Sequence, residues 1–532
     1  MNRLMSRRTL LMVSSLLAAL ATGAAAADAD SEAASASAPV YNVALCCQLC
    51  PQAADPQNYA GSTYLEEFSV LQQGRDGWLF RSRVDLSTRI EITDDSLAEL
   101  RRLASAMRAR GTELVVVLQP PRALMDPDKL GDDQRASYDL GAARAGYAQA
   151  LARIRSAGVT VPPLDTLVDE HKHYEYFFRR DHHWTPAGAE ATAKVVAATV
   201  QQMPSFREVP RLTYATRANA LIGKPGTLQK VASQICGGSY SMQYLTGYIT
   251  EASSDNAAAS ADALLGPQPK KSDSPSGGLL DDHAASAGSG GLLDDGDAGG
   301  DSGAPQIALI GTSNSDAKGG YNFGGYLQQY IGADILNAAL SGGSFDGSLL
   351  HYLPSEAYQK HPPKIVIWEM PWQNWPGADK NPYKTFRQAL PLVHDGCRER
   401  PAVLERQMAL KAGDNELLFN AGGKPLQGGR YWLDLQFDDP TIKDLHAIIW
   451  YYTGQKESLK LHFNQYVDNG GRFVTELRRN RPDYAAATFM GATLNLEQEP
   501  VKPLSVKVRV CSMEGPQQQT ATAAEIPNAH SH

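Results

Sequence analysis

The sequence predicts a two-part α/β protein: a mostly parallel sheet between helical layers, followed by an antiparallel β-sandwich. Three observations carry this. Helix-like and strand-like segments alternate up to about residue 390, their short apolar strands close in glycine or proline turns, and the apolar period then changes from helical to two.

The elements follow in order. Arg3, Arg7 and Arg8 precede the apolar run Leu10 to Leu20, and small residues continue through Ala24-Ala25-Ala26. That is the pattern of an export signal over residues 1–26. Ser6 to Leu11 has twin-arginine character, so the export route stays open, and an uncleaved anchor is the rival reading. No later apolar stretch of about 18 residues follows, so no membrane span is expected after cleavage.

Residues 42–390 form the α/β part. Leu97, Leu100, Leu103 and Met107 are spaced as one helical face, ended by Gly111. Leu114 to Leu118 is a buried strand closed by Pro120-Pro121. A helix over Ala142 to Ala157 stops at Gly158, and Pro162 and Pro163 push the apolar Val159 to Leu164 to a sheet edge. Thr185 caps a helix with Pro186 in its first position; Ala193, Val196, Ala197 and Val200 share a face. The strand Gln306 to Ile310, a helix near Phe323 to Tyr330, and short strands at Asp334 to Ala338 and Ile365 to Trp368 complete the sheet.

Residues 251–304 interrupt this pattern. They hold ten acids, two lysines and a repeated Gly-Gly-Leu-Leu-Asp-Asp unit at 277 and 290. Such composition cannot offset its ordering entropy, so a disordered surface insert is expected. A calcium site built from its paired aspartates is the rival reading. The formal net charge of −8 therefore belongs mainly to the insert, and the nearly balanced remainder gives no sign of nucleic-acid binding.

Residues 391–515 read as the sandwich. Tyr431, Leu433, Leu435 and Phe437 alternate with Trp432, Asp434 and Gln436; Leu445, Ala447, Ile449 and Tyr451 alternate with His446, Ile448, Trp450 and Tyr452. Leu459-Leu461-Phe463 and Val506-Val508-Val510 behave alike. Residues 516–532 read as a disordered tail.

Six cysteines in an exported chain argue for disulfides, with fifteen pairings formally possible. Adjacent Cys46 and Cys47 are poorly placed to bridge each other. Cys397 and Cys511 bracket the sandwich and are expected to staple its ends; Cys236 is expected to meet one of Cys46, Cys47 and Cys50, with Cys50 favoured.

The chemistry gathers in Arg180-Asp181-His182-His183-Trp184-Thr185-Pro186 and Gly311-Thr312-Ser313. Ser313 ends a strand on a glycine-bearing turn, the edge where open α/β sheets bind ligands. A serine, a histidine and an acid supply the nucleophile, base and orienter of acyl transfer. Asp181, two residues before His183, can hold its tautomer; His182 is a second candidate base. The backbone of Ser313 and residues Gly342, Gly343 and Asn337 are oxyanion candidates. Plain turn roles for all of them are the rival reading, as is a metal held by His171, His173, His182 and His183. The tryptophans Trp368, Trp372 and Trp375 suit either sugar stacking or packing. In the sandwich, Trp450 shares a strand face with His446, and Lys456 follows in the next turn. Such a face suits an anionic sugar chain, unless the other sheet covers it.

With these residues assembled, the chain resembles the SGNH-hydrolase-like alginate acetyltransferases. The resemblance rests on Gly74-Arg75-Asp76-Gly77-Trp78-Leu79-Phe80, on Arg180 to Glu190, on Gly311-Thr312-Ser313 and on Trp368-Glu369-Met370-Pro371, and spans residues 42–512 outside the insert. It implies an SGNH-hydrolase-like domain with a C-terminal carbohydrate-binding module, and periplasmic O-acetylation of mannuronate in alginate. By resemblance Ser313 is the acyl nucleophile, with Asp181 and His183 completing the triad, and the module's ligands fall near His446, Trp450 and Lys456, with His446 where a lysine is expected. No cofactor and no metal are implied. The implied partners are the anionic polymer, an acetyl donor of unknown identity and other alginate biosynthesis and secretion proteins. Two other functions fit the same residues: a polysaccharide acetyl esterase, and a non-catalytic alginate-binding scaffold.

Overall fold

Val115 to Leu118, Ile307 to Ile310 and, apart from Glu369, Ile365 to Met370 are apolar along their whole length. Strands of this kind are stable only when both faces are covered. In the computed structural model, which describes residues 49–170, 174–238, 240–253, 304–375, 382–398 and 400–514, they form three of the four strands of one parallel sheet. After a separate short ribbon of β1 (Leu71–Gln73) and β2 (Leu79–Arg81), the order in the parallel sheet is β3 (Glu113–Gln119), β8 (Ile365–Pro371), β6 (Ile307–Ile310), β7 (Leu336–Asn337). Ile365 sits opposite both Glu113 and Ile307, which brings the carboxyl ends of β6 and β8 to one rim. Every residue of β6 and β8 is buried.

The helices start where short polar side chains replace missing backbone partners. Thr93 caps α1 (Asp94–Ala109), Asp139 caps α2 (Leu140–Arg155), and Thr185 caps α3 (Pro186–Val200). The helix α3 packs on α5 (Phe323–Ile331), and α1 packs on α6 (Pro382–Leu392).

The expected edge strand at Val159 to Leu164 is only a bridge between Thr160 and Val115, and Asp334 to Ala338 shortens to the two residues of β7. Proline at 162 and 163 cannot donate to a ladder, which limits the first of these. Between α3 and the insert lies structure that the apolar pattern did not announce. There, β4 (Tyr214–Lys224) and β5 (Gln243–Ala252) form an antiparallel ribbon, joined through α4 (Thr227–Cys236). Since β4 is exposed at most positions, it carries no periodic apolar signal. The ribbon also corrects one boundary: Glu251 and Ala252 belong to β5 and not to the insert, and Glu251 pairs with Arg217 at 3.0 Å. The export signal, residues 254–303 of the insert, the C-terminal tail, Cys46, Cys47, His171 and His173 lie outside the described residues. Among the described residues no helix is long and apolar enough to cross a membrane.

The C-terminal domain is two four-stranded antiparallel sheets. One runs β10 (Gly413–Phe419), β15 (Phe489–Leu496), β12 (Asp444–Tyr451), β13 (Lys456–His462); the other runs β14 (Arg472–Glu476), β11 (Tyr431–Phe437), β16 (Ser505–Ser512), β9 (Ala402–Ala409). Leu445, Ala447 and Ile449 point inward, as alternation requires. Trp432 and Asp434 of β11 depart from it: both are buried although they alternate with the inward-facing Leu433 and Leu435. The segment after α6 covers that face, with His394 stacked on Trp432 and the Cys397 N–H donating to Asp434 at 2.9 Å.

Both expected disulfides are present. Cys50–Cys236 ties the N-terminal segment to the end of α4, and Cys397–Cys511 closes the sandwich. The two domains meet through charge. Arg387 of α6 donates to the buried Glu457 of β13, and Arg102 and Arg479 converge on Glu476 and Glu99. Ions this deeply buried need partners, so these pairs hold a fixed relation between the halves.

Candidate active site

The turn carrying Ser313 is built on a buried carboxyl. Glu369, at the end of β8, accepts from the Thr312 N–H at 2.9 Å, the Thr312 hydroxyl at 3.1 Å and the Ser315 hydroxyl at 2.8 Å. Its other oxygen accepts from Gln119 at 2.8 Å. Burial raises its pKa, and the Thr312 and Ser315 hydrogen bonds pull the other way. A Cβ at position 311 would fall 2.6 Å from the Glu369 carboxyl, so the turn requires glycine there.

The second segment folds back on itself before α3. The Phe178 N–H donates to the His183 carbonyl at 3.1 Å, and Phe177 bridges Trp184. Fully buried Arg122 pins this turn, donating to the carbonyls of Phe178 and Asp181 at 2.8 Å and of Arg179 at 2.9 Å. Its guanidinium lies 4.6 Å from the ring of Trp78, which is how the Gly-Arg-Asp-Gly-Trp-Leu-Phe stretch supports the site. Trp184 joins the two segments, its indole N–H donating to the Asn314 carbonyl at 3.0 Å.

Here the three residues singled out from the sequence come together. His183 Nε2 lies 2.7 Å from Ser313 Oγ. Its Nδ1 faces Asp181 Oδ1, which also accepts from the His183 N–H at 2.8 Å. The other Asp181 oxygen accepts from the Thr227 N–H at 2.8 Å, the first residue of α4. Burial opposes the Asp181 charge, but the His183 ring, His182 and backbone hydrogen bonding outweigh it and hold the carboxyl well below its ordinary range. The positive end of α4 adds to this. His182 turns away: its Nδ1 pairs with the Thr227 hydroxyl at 2.6 Å, and burial followed by the His183 charge drives its pKa well down.

Asp181, His182 and His183 offer ligand-type atoms within 4.8 Å of one another. The two Asp181 oxygens, His182 Nδ1 and both His183 nitrogens already have hydrogen-bond partners in Thr227, Ser313 and each other. The cluster is self-satisfied as an acid–base arrangement.

Two of the oxyanion candidates are otherwise engaged. The Gly343 N–H donates to the Leu340 carbonyl at 3.2 Å, and the Asn337 amide donates to the Ser315 carbonyl at 2.9 Å. The N–H groups of Ser313 and Gly342 make no hydrogen bond to a described residue. Gly342 belongs to a loop bonded to the Ser313 turn through Leu340 N–H to the Gly311 carbonyl at 3.1 Å and Ser341 N–H to Asp316 at 3.0 Å. Thr227, Glu369 and Arg122 are supports that the sequence reading missed. Only Glu369 had a local signal, a lone acid in an apolar strand.

In the module, His446 and Trp450 lie on the outer face of β12, and the interior-face alternative does not hold. Lys456 sits directly across from Trp450, its ammonium 5.9 Å from the indole, while His446 pairs with Ser458 at 3.0 Å. Trp368 and Trp375 are packing residues, buried with their N–H groups bonded to Phe345 and Ser96.

A parallel sheet with a serine turn and a histidine segment at its carboxyl rim, joined to an antiparallel module, defines an SGNH hydrolase-like protein with a carbohydrate-binding domain. A family model described as an SGNH hydrolase-like domain, acetyltransferase AlgX, matches residues 71–272 and 280–372, and one for a C-terminal carbohydrate-binding module matches residues 396–524. The chain is 39% identical to the alginate biosynthesis protein AlgX of Pseudomonas aeruginosa, over 93% of this chain and 95% of that protein. A solved structure of Pseudomonas aeruginosa AlgX superposes with a TM-score of 0.73 at 37% identity, covering 87% of this chain and 99% of that one. The probable alginate O-acetylase AlgJ of the same organism is 29% identical over 57% of this chain and 70% of its own length. The chain belongs to the AlgX family.

Proposed function

We propose that this chain is a periplasmic O-acetyltransferase that moves acetyl groups onto mannuronate hydroxyls of alginate through an acetyl-serine intermediate. The observation that carries the reading is the 2.7 Å approach of His183 Nε2 to Ser313 Oγ, with Asp181 on the far side of the ring. Ser313 Oγ bonds to the acetyl carbonyl carbon while its proton passes to His183 Nε2. Collapse of the tetrahedral adduct expels the donor's leaving group, which takes that proton and leaves acetyl-Ser313. A sugar hydroxyl then attacks the ester, gives its proton to His183, and departs acetylated as Ser313 Oγ is reprotonated. Asp181 keeps the imidazole in the tautomer that presents a lone pair to Ser313.

The Ser313 and Gly342 N–H groups are the proposed oxyanion donors, because among the candidates theirs make no hydrogen bond to a described residue. Gly343 and Asn337 then serve to shape the loop. The outer-face residues His446, Trp450 and Lys456 are proposed to hold the polyanion. An export signal and two disulfides support a periplasmic location, where such bonds persist. Family membership supports association with other alginate biosynthesis and secretion proteins.

The test is mass spectrometry of the Ser313 peptide after mixing with a small acetyl ester, beside acetyl transfer to polymannuronate and acetate release. An acetylated Ser313 with transfer exceeding release supports the transferase. Release alone makes the chain an esterase, and no turnover in any variant, with polymer binding unchanged, makes it a scaffold.

A further inference from the structure

Lys224 ends β4 just before α4, whose first N–H binds Asp181. Its ammonium lies 4.5 Å from the centre of the Tyr321 ring, and that ring stacks on His183 with centroids 5.3 Å apart and planes tilted by 25°. Tyr321 is 1% exposed, so its ring is a fixed element in contact with both the cation and the imidazole. Among the described residues, no carboxylate or other polar group lies within salt-bridge or hydrogen-bond range of the Lys224 ammonium, although the residue is half-buried. Burial lowers its pKa, with the Asp181 charge acting in the opposite sense. A partly desolvated charge without a partner costs free energy that an incoming anion recovers.

The surroundings indicate what that anion is. Ile222, on the same face of β4, lines a cleft of about 510 Å³ between the ribbon and α5, shared with Tyr248, Thr250, Ser315, Gly320 and Asn337. The cleft thus runs from the lysine's strand to the nucleophile turn, and its hydroxyl and amide groups suit a hydroxyl-rich chain. Within a hexuronate, a ring hydroxyl and the carboxylate are about 5 Å apart on ordinary bond lengths. A sugar whose hydroxyl sits at Ser313 and His183 places its own carboxylate, or a neighbour's, in the surroundings of His183, where the Tyr321–Lys224 pair offers a cation.

We propose that Lys224 binds a carboxylate of the acceptor sugar and makes this site selective for uronate over neutral hexose acceptors. The proposal rests on the reading of Ser313 and His183 as the acetyl-transfer centre. It gives the catalytic domain an anion contact of its own, separate from the face of the module.

The full-length chain is compared with Lys224→Gln and Lys224→Arg. Hydrolysis of a small neutral acetyl ester counts working Ser313–His183 sites, and rates are expressed per working site. Acetyl transfer is measured to oligomannuronate and to a neutral mannose oligosaccharide. The expected result for Lys224→Gln is a rise of about tenfold or more in KM for oligomannuronate, with the preference over the neutral acceptor falling by the same factor. Lys224→Arg recovers part of the preference, and the salt dependence of KM weakens in Lys224→Gln. An unchanged preference overturns the proposal, and so does an equal loss on both acceptors, which would make Lys224 a support for the Tyr321–His183 stack. If Ser313→Ala leaves ester hydrolysis intact, the acetyl-transfer reading itself fails. Calorimetric binding of oligomannuronate to Ser313→Ala with and without Lys224→Gln then reads the anion contact directly, and equal affinities overturn it.

Discussion

Asn464 of the C-terminal domain donates its side-chain amide to the Gly342 carbonyl at 2.8 Å. Beside it the Tyr466 ring lies so close that a Cβ on Gly342 would fall 2.5 Å from the ring. Gly342 has φ +76°, a conformation that other residues adopt only with strain. The module therefore holds the loop that carries the proposed oxyanion donor Gly342. Gly342→Ala is expected to lower kcat on a small acetyl ester by about 10²-fold, the loss typical of a misplaced oxyanion donor. Asn464→Ala is expected to cost about three- to tenfold on the same ester. Stopped-flow hydrolysis checks both; an effect of Asn464→Ala confined to polymer KM would assign the contact to binding instead.

Glu369 is a buried acceptor for donors on three residues, Thr312, Ser315 and Gln119. Glutamine preserves its shape but turns one oxygen into a donor that faces other donors. Glu369→Gln is expected to destabilise the fold by about 1–3 kcal/mol and to reduce kcat through a displaced Ser313. Urea denaturation and ester kinetics measure the two effects in parallel.

The depressed pKa of Asp181 has a pH consequence. A carboxyl whose folded pKa lies below its unfolded value, about 3.9, contributes stability that is complete above that value. This contribution fades as pH falls toward the folded value. Asp181→Asn is expected to flatten the acid limb of the stability profile below about pH 4. Ester kcat is expected to fall by about 10⁴-fold, since an amide favours the wrong tautomer. Urea midpoints taken between pH 3 and 7 test the first expectation; parallel profiles for the two proteins would contradict it.

Trp450, with Lys456 across the strand pair, sits on the outer face of the sheet away from the sandwich core. Trp450→Ala is expected to weaken oligomannuronate binding about tenfold, as loss of a stacking platform beside a retained cation implies. Calorimetry on the Ser313→Ala background reads this without turnover.

Much of the site was legible because its chemistry is local. Asp181 and His183 are two residues apart before a capped helix, and Ser313 follows an apolar strand through an obligatory glycine turn. Alternation along residues 444–451 likewise sorted His446 and Trp450 from Leu445, Ala447 and Ile449 before any coordinates. These features depend on neighbours in the chain, whose periodicity is set by backbone geometry alone.

What only the tertiary structure decided is which distant groups complete the site. Thr227 reaches Asp181 across 46 residues, Glu369 reaches Thr312 across 57, and Arg122 reaches the Asp181 carbonyl across 59. Whether Gly342 or Gly343 keeps a free N–H depends on one turn closing onto Leu340. Such pairings carry no sequence period, because they arise where separately folded segments pack together and buried polar groups must find partners.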